Sequence, residues 1–237
     1  ASRGIGLAIT RQLLEQKNLR RVYASYRDRE SAAGLLGIND ERLLSLRLDV
    51  TNPDDFKALA DAIKTNGDRP DYVIHCAGIL HEQEMQPEKA LSQCQQESLM
   101  RLFLVNSIGP LMLARALIPL MPKNRPGHFV VLSAMVGSIG DNRLGGWYAY
   151  RASKAALNQF MRTLANECRL RHPNAAIVSI HPGTTDTALS RPFQRNIEQG
   201  KLYTPEQTAK RILAVLEPLG PADSGCFFHW DGSEIPW

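Results

Sequence analysis

Apolar strand-like runs alternate with helix-like stretches along nearly all of this 237-residue chain, and the alternation restricts the fold more than any other feature. The runs rich in β-branched and aromatic residues lie at 21–26, 43–50, 71–78, 128–134, 176–183 and 226–230. The helix-like stretches lie at 5–17, 54–65, 88–120, 147–171 and 204–216. Strands separated by helices of this length pair in parallel and are covered on both faces. The sequence therefore predicts an α/β fold, a doubly wound parallel sheet in three layers (α/β/α).

We expect a single domain over residues 1–237, because a chain of this length with 43% hydrophobic residues can bury one large core. The sequence contains no internal repeat, low-complexity segment or Pro/Gly-rich linker that would divide it. The alternation begins with a helix, whereas the phosphate-binding loop of such a fold follows a strand. We therefore expect the first strand, and the first glycine of that loop, to be absent from the given sequence.

Charge and cysteine usage argue against several classes of function. The 28 basic and 24 acidic residues give a formal net charge of +4 and are scattered, without the basic stripe and interleaved aromatics of a nucleic-acid surface. The four cysteines are far apart, with no metal-type grouping, as in a reduced cytoplasmic protein. No apolar run approaches the ~20 residues of a membrane span, and no signal-peptide pattern opens the chain. We expect a cytoplasmic protein without nucleic acid, metal or membrane span.

The opening segment ASRGIG places glycines at positions 4 and 6 directly before a helix-like run. Glycines at such positions let the backbone approach a phosphate bound at the helix N-terminus. An ordinary helix start with a tight turn gives the same pattern, so this motif is informative only in combination with others.

Tyr150 and Lys154 are the strongest candidates for chemistry. Both lie on the predicted helix 147–171, and their four-residue spacing puts them one turn apart on the same face. The lysine ammonium would stabilise the phenolate and lower the phenol pKa from about 10 towards the working range, as a general acid for carbonyl reduction needs. An amphipathic helix with an exposed lysine shows this spacing by chance as well.

Six segments in order resemble the short-chain dehydrogenase/reductase family over nearly the whole chain. The N-terminal matches are ASRGIG to the end of the cofactor loop, Asp49-Val50 to the adenine-contacting position, and His75-Cys76-Ala77-Gly78 to the Asn-Asn-Ala-Gly segment, with both asparagines replaced. The remaining matches are Asn106 to the asparagine that interrupts a long helix and supports a proton-relay water, Tyr150 with Lys154 to the catalytic pair, and residues 182–187 to the Pro-Gly-x-x-x-Thr segment beside the nicotinamide.

The resemblance implies a Rossmann-like fold and hydride transfer between a nicotinamide cofactor and a carbonyl or alcohol substrate. It assigns catalysis to Asn106, Ser133, Tyr150 and Lys154. It assigns cofactor binding to Ser2, Arg3, Gly4, Ile5, Gly6, Arg27, Asp49, Val50, Cys76, Ala77, Gly78, Tyr150, Lys154, Pro182, Gly183, Thr185 and Thr187.

The substrate-orienting serine departs from the family pattern. The register of the family's Ser-x-x-Gly segment places Ala134 at that position and Ser133 one residue earlier. Neighbours on a strand point to opposite faces, so Ser133 would serve only if the strand end bulges or turns. Ser138 is a second candidate, and a strand-end hydroxyl bonded to backbone is the alternative interpretation of Ser133. Loss of one such donor slows a reaction by about 10² to 10³.

Arg3 and Arg27 favour NADP(H) over NAD(H) as the cofactor. An acidic residue after the second strand holds the ribose hydroxyls of NAD, whereas the 2′-phosphate of NADP needs a cation. Both arginines resemble basic positions of NADPH-preferring members. Asp28 follows Arg27 and weakens the inference, and both arginines would also fit as solvated surface charges.

Near the C-terminus, HPGTTDTALSRPFQ and WDGSEIPW are similar to the C-factor subgroup, which is named for an intercellular signal. The alternative to an oxidoreductase is therefore a cofactor-binding sensor or signalling protein with weak catalysis; the short portion after Pro182 disfavours an isomerase or dehydratase. The polar, basic segment 187–202 corresponds to the family's substrate lid. The resemblance also implies a small-molecule carbonyl or alcohol substrate and a homodimer or homotetramer formed through the helices that carry Asn106 and Tyr150.

Overall fold

The computed structural model describes residues 1–82 and 84–237, in which strands and helices alternate in the predicted order. The α-helices are α1 (Gly4–Leu14), α2 (Ala33–Leu36), α3 (Pro53–Thr65), α4 (Gln96–Phe103), α5 (Gly109–Leu117), α6 (Tyr148–Arg171) and α7 (Pro205–Leu216). The strands are β1 (Val22–Tyr26), β2 (Leu43–Arg47), β3 (Tyr72–His75), β4 (Gly127–Leu132), β5 (Ala175–His181), β6 (Thr184–Thr185), β7 (Leu202–Tyr203) and β8 (Phe227–His229).

All the strand pairs between these elements are parallel. The strands β3, β4, β5 and β8 form a four-stranded sheet in that order, and β1 pairs with β2 beside it. The short strands β6 and β7 form a separate pair. Each crossover between the main parallel strands passes through helical structure, as a parallel sheet requires. The predicted α/β class with a parallel sheet covered by helices is confirmed.

The helices form two layers because alternate residues of each strand face opposite sides of the sheet. Phe129 and Val131 of β4 pack on α3, α5 and α6, within a core cluster that these helices share. Val130 and Leu132 face the other way and pack with side chains of α1 and α7. The β-branched and apolar runs of the sequence are thus buried on both faces, which is why they showed no polar alternation.

A cavity of about 670 Å³ lies between β1 and β3, which are not paired with each other. Its walls include residues 22–25 of β1 and residues 72–76 at β3, so backbone edges of both strands border it. The amino group of Ala1 donates a hydrogen bond of 2.6 Å to the carbonyl of Ser25 at the end of β1.

The helical region around Asn106 is interrupted at that residue, as the family resemblance implies, but it begins later than the stretch 88–120 predicted from the sequence. It consists of α4, a π-helical turn at Leu104–Ile108 that contains Asn106, and α5. Residues 88–95 lie outside α4 and contain only the short 3₁₀ turn Leu91–Gln93. Their sequence offers no apolar stripe, and a helix gains most of its stability in a protein from packing such a face.

The run Gln96–Leu120 is long and apolar enough, by length and composition, to cross a membrane, contrary to the sequence expectation. In the structure 56% of its most apolar window is buried inside the protein. Leu113 and Leu117 of this run belong to the core cluster shared with α3 and α6. Much of the run is therefore packed in the core of the α/β fold, and its composition is weak evidence for a span.

Gly109 begins α5 at a close approach to the chain after β2. A Cβ atom added there would lie 2.8 Å from the carbonyl oxygen of Val50 and 3.0 Å from its Cβ. We expect Gly109→Ala to lower the free energy of unfolding by about 1–3 kcal/mol through this clash, although alanine is the better helix former by about 1 kcal/mol. Urea denaturation measures the difference. Gly220→Ala is the control, because nothing lies within 4 Å of an added Cβ there; a Gly109→Ala protein as stable as the Gly220→Ala protein contradicts the close approach.

Candidate active site

A cleft of about 960 Å³ opens at the carboxyl ends of the parallel strands. Ligands of open α/β sheets bind at this edge. Every residue predicted to hold the cofactor lines the cleft, and so do Ser133, Tyr150 and Lys154. Asn106 is the predicted site residue that does not line it. The structure therefore brings together segments that are far apart in sequence, from ASRGIG at the start to residues 182–187.

The glycines of ASRGIG let three segments approach closely at the start of α1. Gly4 has a φ of +52°, and a Cβ added there would lie 3.2 Å from Cγ2 of Thr187. An added Cβ on Gly6 would lie 3.0 Å from Cα of Ala1 and 3.4 Å from Cβ of Cys76. The N-terminus of α1 has no side-chain cap and no acidic residue in its first turn. Residues 2–6 line the cleft, and the first N–H groups of a helix have no partner within the helix, so this end offers a site for an anion that fits the pyrophosphate of a dinucleotide.

Tyr150 and Lys154 are both buried on α6, 7% and 4% exposed respectively. The Nζ atom of Lys154 donates a hydrogen bond of 2.8 Å to the carbonyl of Leu132 at the end of β4. It lies 5.8 Å from the centre of the Tyr150 ring. An added Cβ on Gly137 would lie 2.8 Å from Cβ of Lys154, so glycine at that position lets the turn after β4 approach α6.

Burial shifts the pKa values of this pair in opposite directions. Desolvation raises the pKa of Tyr150 above its usual range and lowers the pKa of Lys154 to about 8. The expectation that the ammonium lowers the phenol pKa is not met in this structure, because the ammonium is bonded to the Leu132 carbonyl and desolvation of the phenol dominates. Tyr150 is consequently protonated at neutral pH, which is the form that can donate a proton.

Asn106 lies behind the wall of the cleft and is completely buried. Its Oδ1 accepts a 2.8 Å hydrogen bond from the N–H of Ile79, and its Nδ2 donates to the Ile79 carbonyl at 2.9 Å and to Ser153 Oγ at 3.1 Å. These bonds tie the π-helical turn to the loop after β3 and to α6. An added Cβ on Gly78 would lie 3.4 Å from Asn106 Oδ1 and 3.5 Å from Lys154 Nζ, so both groups border this loop.

The end of β4 presents Ser133 and Ala134 to the cleft. Ser133 is two residues after Val131 and so falls on the strand face that packs on α6. Its Oγ is buried and has no hydrogen-bond partner among the described residues. Ser138 is different, because its Oγ donates to the Pro236 carbonyl at 2.5 Å and it does not line the cleft. Ser133 is thus the serine of this pair that lines the cleft and whose hydroxyl has no hydrogen-bond partner among the described residues.

The segment His75-Cys76, which replaces two asparagines of the family pattern, is electrically neutral. His75 is 4% exposed, neither ring nitrogen has a partner among the described residues, and burial lowers its pKa to about 3. Burial likewise raises the pKa of the Cys76 thiol to about 11. Across the described part of the chain, no three histidine, cysteine or acidic side chains are grouped as metal ligands.

An aromatic wall stands beside Tyr150, and sequence reasoning missed the part of it that Trp147 forms. The Trp147 ring lies 6.1 Å from the Tyr150 ring and 5.1 Å from the Phe193 ring, centre to centre and edge to face. The His81 ring also lies edge to face with Phe193, 5.8 Å away centre to centre. Trp147 has a φ of +52°, which non-glycine residues adopt rarely and at a cost. The preceding Gly145-Gly146 was the only local sign of this turn.

Charged side chains surround the end of the cleft that lies beside β1 and β2. Arg27 follows β1, Asp49 follows β2, and both line the cleft as predicted. Arg101 of α4 also lines it, although nothing in its local sequence distinguished it from a solvated helix residue. Arg101 and Arg27 both form ion pairs with Glu82.

Comparison with known proteins shows to which family the chain belongs. The profile described as short chain dehydrogenase matches residues 1–198. The 1-hydroxy-2-glutathionyl-2-methyl-3-butene dehydrogenase of Rhodococcus sp. is 31% identical over 190 residues, which are 80% of this chain and 78% of that protein. The C-signal protein of Myxococcus xanthus is 32% identical over 148 residues, 62% of this chain and 84% of that protein, in agreement with the C-factor resemblance.

Solved structures agree with the sequence relatives. An NADPH-bound carbonyl reductase from chicken fatty liver superposes with a TM-score of 0.87 at 28% identity, covering 100% of this chain and 91% of that one. The carbonyl reductase Sniffer of D. melanogaster superposes with a TM-score of 0.86 at 25% identity, covering 100% and 96%. The chain therefore belongs to the short-chain dehydrogenase family and is an oxidoreductase of carbonyl and CH–OH groups.

Proposed function

We propose that the protein interconverts an apolar carbonyl compound and its alcohol with NADP(H), using Tyr150 as the acid and base. The observation that carries the proposal is the burial of Tyr150 and Lys154 together in the cleft that starts at the uncapped N-terminus of α1. One wall of that cleft fits a dinucleotide, and the aromatic wall beside Tyr150 fits an apolar substrate. The expected single domain over residues 1–237 is part of this proposal.

Different segments of the cleft bind different parts of the cofactor. The bound nicotinamide supplies or accepts the hydride. The loop of Gly4 and Gly6 at α1 holds the pyrophosphate, Asp49 and Val50 meet the adenine, and Arg3 and Arg27 meet the 2′-phosphate. Residues 182–187, with Thr185 and Thr187, hold the nicotinamide end. The NADPH named with the chicken reductase and the NADP named with a Burkholderia multivorans relative support the preference for NADP(H).

The proton-transfer roles follow from burial and hydrogen bonding. Tyr150, protonated at neutral pH, donates its proton to the alkoxide that forms during reduction. Lys154 supplies a positive charge beside the phenol and orients the ribose of the cofactor. Ser133 donates a hydrogen bond to the substrate oxygen from its unpartnered hydroxyl. Asn106 positions the loop of Ile79 and the proton-relay water beside Lys154.

The surroundings of the site support the proposed substrate and assembly. Trp147, Phe193 and neighbouring aliphatic side chains form the walls near Tyr150, which favours an apolar carbonyl compound.

We also propose a homodimer or homotetramer, because Met100, Leu104 and Ile108 are exposed on the helical region of Asn106. All four cysteines are free, which supports the proposed cytoplasmic location.

A cofactor-binding sensor with weak catalysis is the second candidate. The observations that favour it are Ala134, where the family carries its serine, and the similarity to C-signal. Such a protein would bind NADPH without reducing any carbonyl compound at a useful rate.

Tyr150→Phe removes the proposed proton donor and keeps the ring. We expect carbonyl reduction to fall by about 10² to 10⁴, the usual contribution of general acid catalysis, while NADPH binding changes less than about threefold. Steady-state kinetics with a panel of apolar carbonyl compounds and fluorescence titration with NADPH measure the two effects. Tyr148→Phe is the control, because Tyr148 is 44% exposed two residues earlier. Full activity of Tyr150→Phe would refute the proposal, whereas wild-type binding of NADPH without turnover would favour the sensor.

Exchanging hydroxyl groups at the end of β4 tests which residue orients the substrate. We expect Ser133→Ala to lower kcat by about 10² to 10³, since the oxygen of the substrate would lose one donor. Ala134→Ser, made in parallel, should change kcat by less than about threefold because the role is already filled. If Ser133→Ala keeps full activity and Ala134→Ser accelerates the reaction, position 134 and not Ser133 is the functional one.

The depressed pKa of Lys154 predicts a pH dependence of the reductase reaction. The group is charged below pH about 8 and neutral above it. We therefore expect kcat/KM for NADPH, which reports the free enzyme, to be high below pH about 8 and to fall above it. Arginine stays charged throughout, so this fall should be absent in a folded Lys154→Arg protein that binds NADPH. An unchanged alkaline fall in Lys154→Arg would assign it to another group.

A further inference from the structure

Four charged side chains meet at the end of the cleft that lies beside β1 and β2, and their formal charges cancel. Arg27 and Arg101 carry the positive charges, and Asp49 and Glu82 carry the negative ones. Glu82 lies between the arginines: its Oε1 is 3.5 Å from Nη1 of Arg27, and its Oε2 is 2.9 Å from Nε of Arg101. The sequence motifs of the family cover Arg27 and Asp49 but neither Glu82 nor Arg101.

Glu82 is held much more firmly by Arg101 than by Arg27. A second hydrogen bond, 3.2 Å from Arg101 Nη2 to Glu82 Oε1, makes the contact with Arg101 two-pronged. Arg101 is 34% exposed and Glu82 31%, whereas Arg27 is 54% exposed and reaches Glu82 through one long contact. The hydrogen bonds from Arg101 hold the pKa of Glu82 below its usual range, so the carboxylate is charged at neutral pH. The negative charge therefore stays in place even when Arg27 moves.

We propose that Glu82 sets the discrimination between NADPH and NADH by opposing the 2′-phosphate at Arg27, so that the protein uses both cofactors. The proposal rests on the proposed function of the cleft. A 2′-phosphate that pairs with Arg27 comes close to the carboxylate that Arg27 already contacts. NADH carries a hydroxyl in place of that phosphate and meets no such repulsion. The preference for NADPH is therefore weaker than the two positive charges of Arg3 and Arg27 would give without Glu82.

Glu82 has two opposing effects at Arg27, and their relative sizes decide whether Glu82 strengthens or weakens NADPH binding. Its contact orients the guanidinium, which would favour NADPH, and its charge repels the phosphate. Orientation by an exposed, single, 3.5 Å contact contributes little. Repulsion between a carboxylate and a nearby phosphate acts over the whole Debye length of about 10 Å at 0.1 M salt. Removing the charge of Glu82 should therefore strengthen NADPH binding.

Equilibrium binding of NADPH and NADH to three variants tests the proposal. Glu82→Gln should lower the Kd for NADPH by about three- to tenfold and leave the Kd for NADH within twofold. Arg101→Gln, which leaves Glu82 without its partner, should raise the Kd for NADPH more than that for NADH. Glu97→Gln is the control, because it removes one negative charge from the first turn of α4, the helix that carries Arg101. Fluorescence of the bound dihydronicotinamide measures each Kd at low salt.

Glu82→Gln and Arg101→Gln should change the Kd for NADPH in opposite directions, and this difference separates an electrostatic role of Glu82 from a structural one. If Glu82 merely supported the local structure, both variants would weaken both cofactors, and this result overturns the proposal. An effect of Glu82→Gln no larger than that of Glu97→Gln, or equal for NADPH and NADH, also overturns it. Should Glu82→Gln fail to fold by circular dichroism, Arg101→Gln decides alone: an equal change for the two cofactors contradicts the proposal. Wild-type protein that binds neither cofactor instead refutes the proposed function itself.

Discussion

The hydrogen bond from the Lys154 ammonium to the Leu132 carbonyl is the contact on which the site depends. It joins α6 to the end of β4 and holds a positive charge inside a protein region where it is 4% exposed. A buried ammonium with so few partners is costly, and the lowered pKa of Lys154 records that cost. Gly137 allows the turn after β4 to approach the lysine, because a Cβ added there would lie 2.8 Å from Cβ of Lys154.

Everything else in the cleft is arranged around that contact by the parallel sheet. The carboxyl ends of the strands meet at one edge, and the turns after β1, β2, β3, β4 and β5 all line the cleft there. The π-helical turn at Asn106 brings its amide to the loop of Ile79 and to Ser153, so the helical region beside α6 is fixed to the same edge. Binding of a dinucleotide and positioning of Tyr150 are thus consequences of one architecture.

The features that could be predicted from the sequence are those that recur along the chain or that form a motif. Apolar runs and amphipathic stretches gave the strand and helix order, and the spacing of Tyr150 and Lys154 gave a pair that shares the cleft. Features that depend on distant neighbours were not predictable. The pKa of Tyr150 is raised because burial outweighs the ammonium, and burial is a property of the folded chain. Glu82 and Arg101 are brought together by the fold, and the N–H of Trp147 donates a hydrogen bond to the carbonyl of Glu88, which is distant in sequence.

The most direct test of the account is the transfer of deuterium to a carbonyl compound from NADPH that carries deuterium at both positions of nicotinamide C4. Mass spectrometry of the alcohol product shows whether the label arrives on the former carbonyl carbon. The account predicts that it does with wild-type protein, and that a Lys154→Met protein forms far less labelled alcohol. Saturated binding of NADPH with no labelled alcohol from any carbonyl compound in the panel would contradict it.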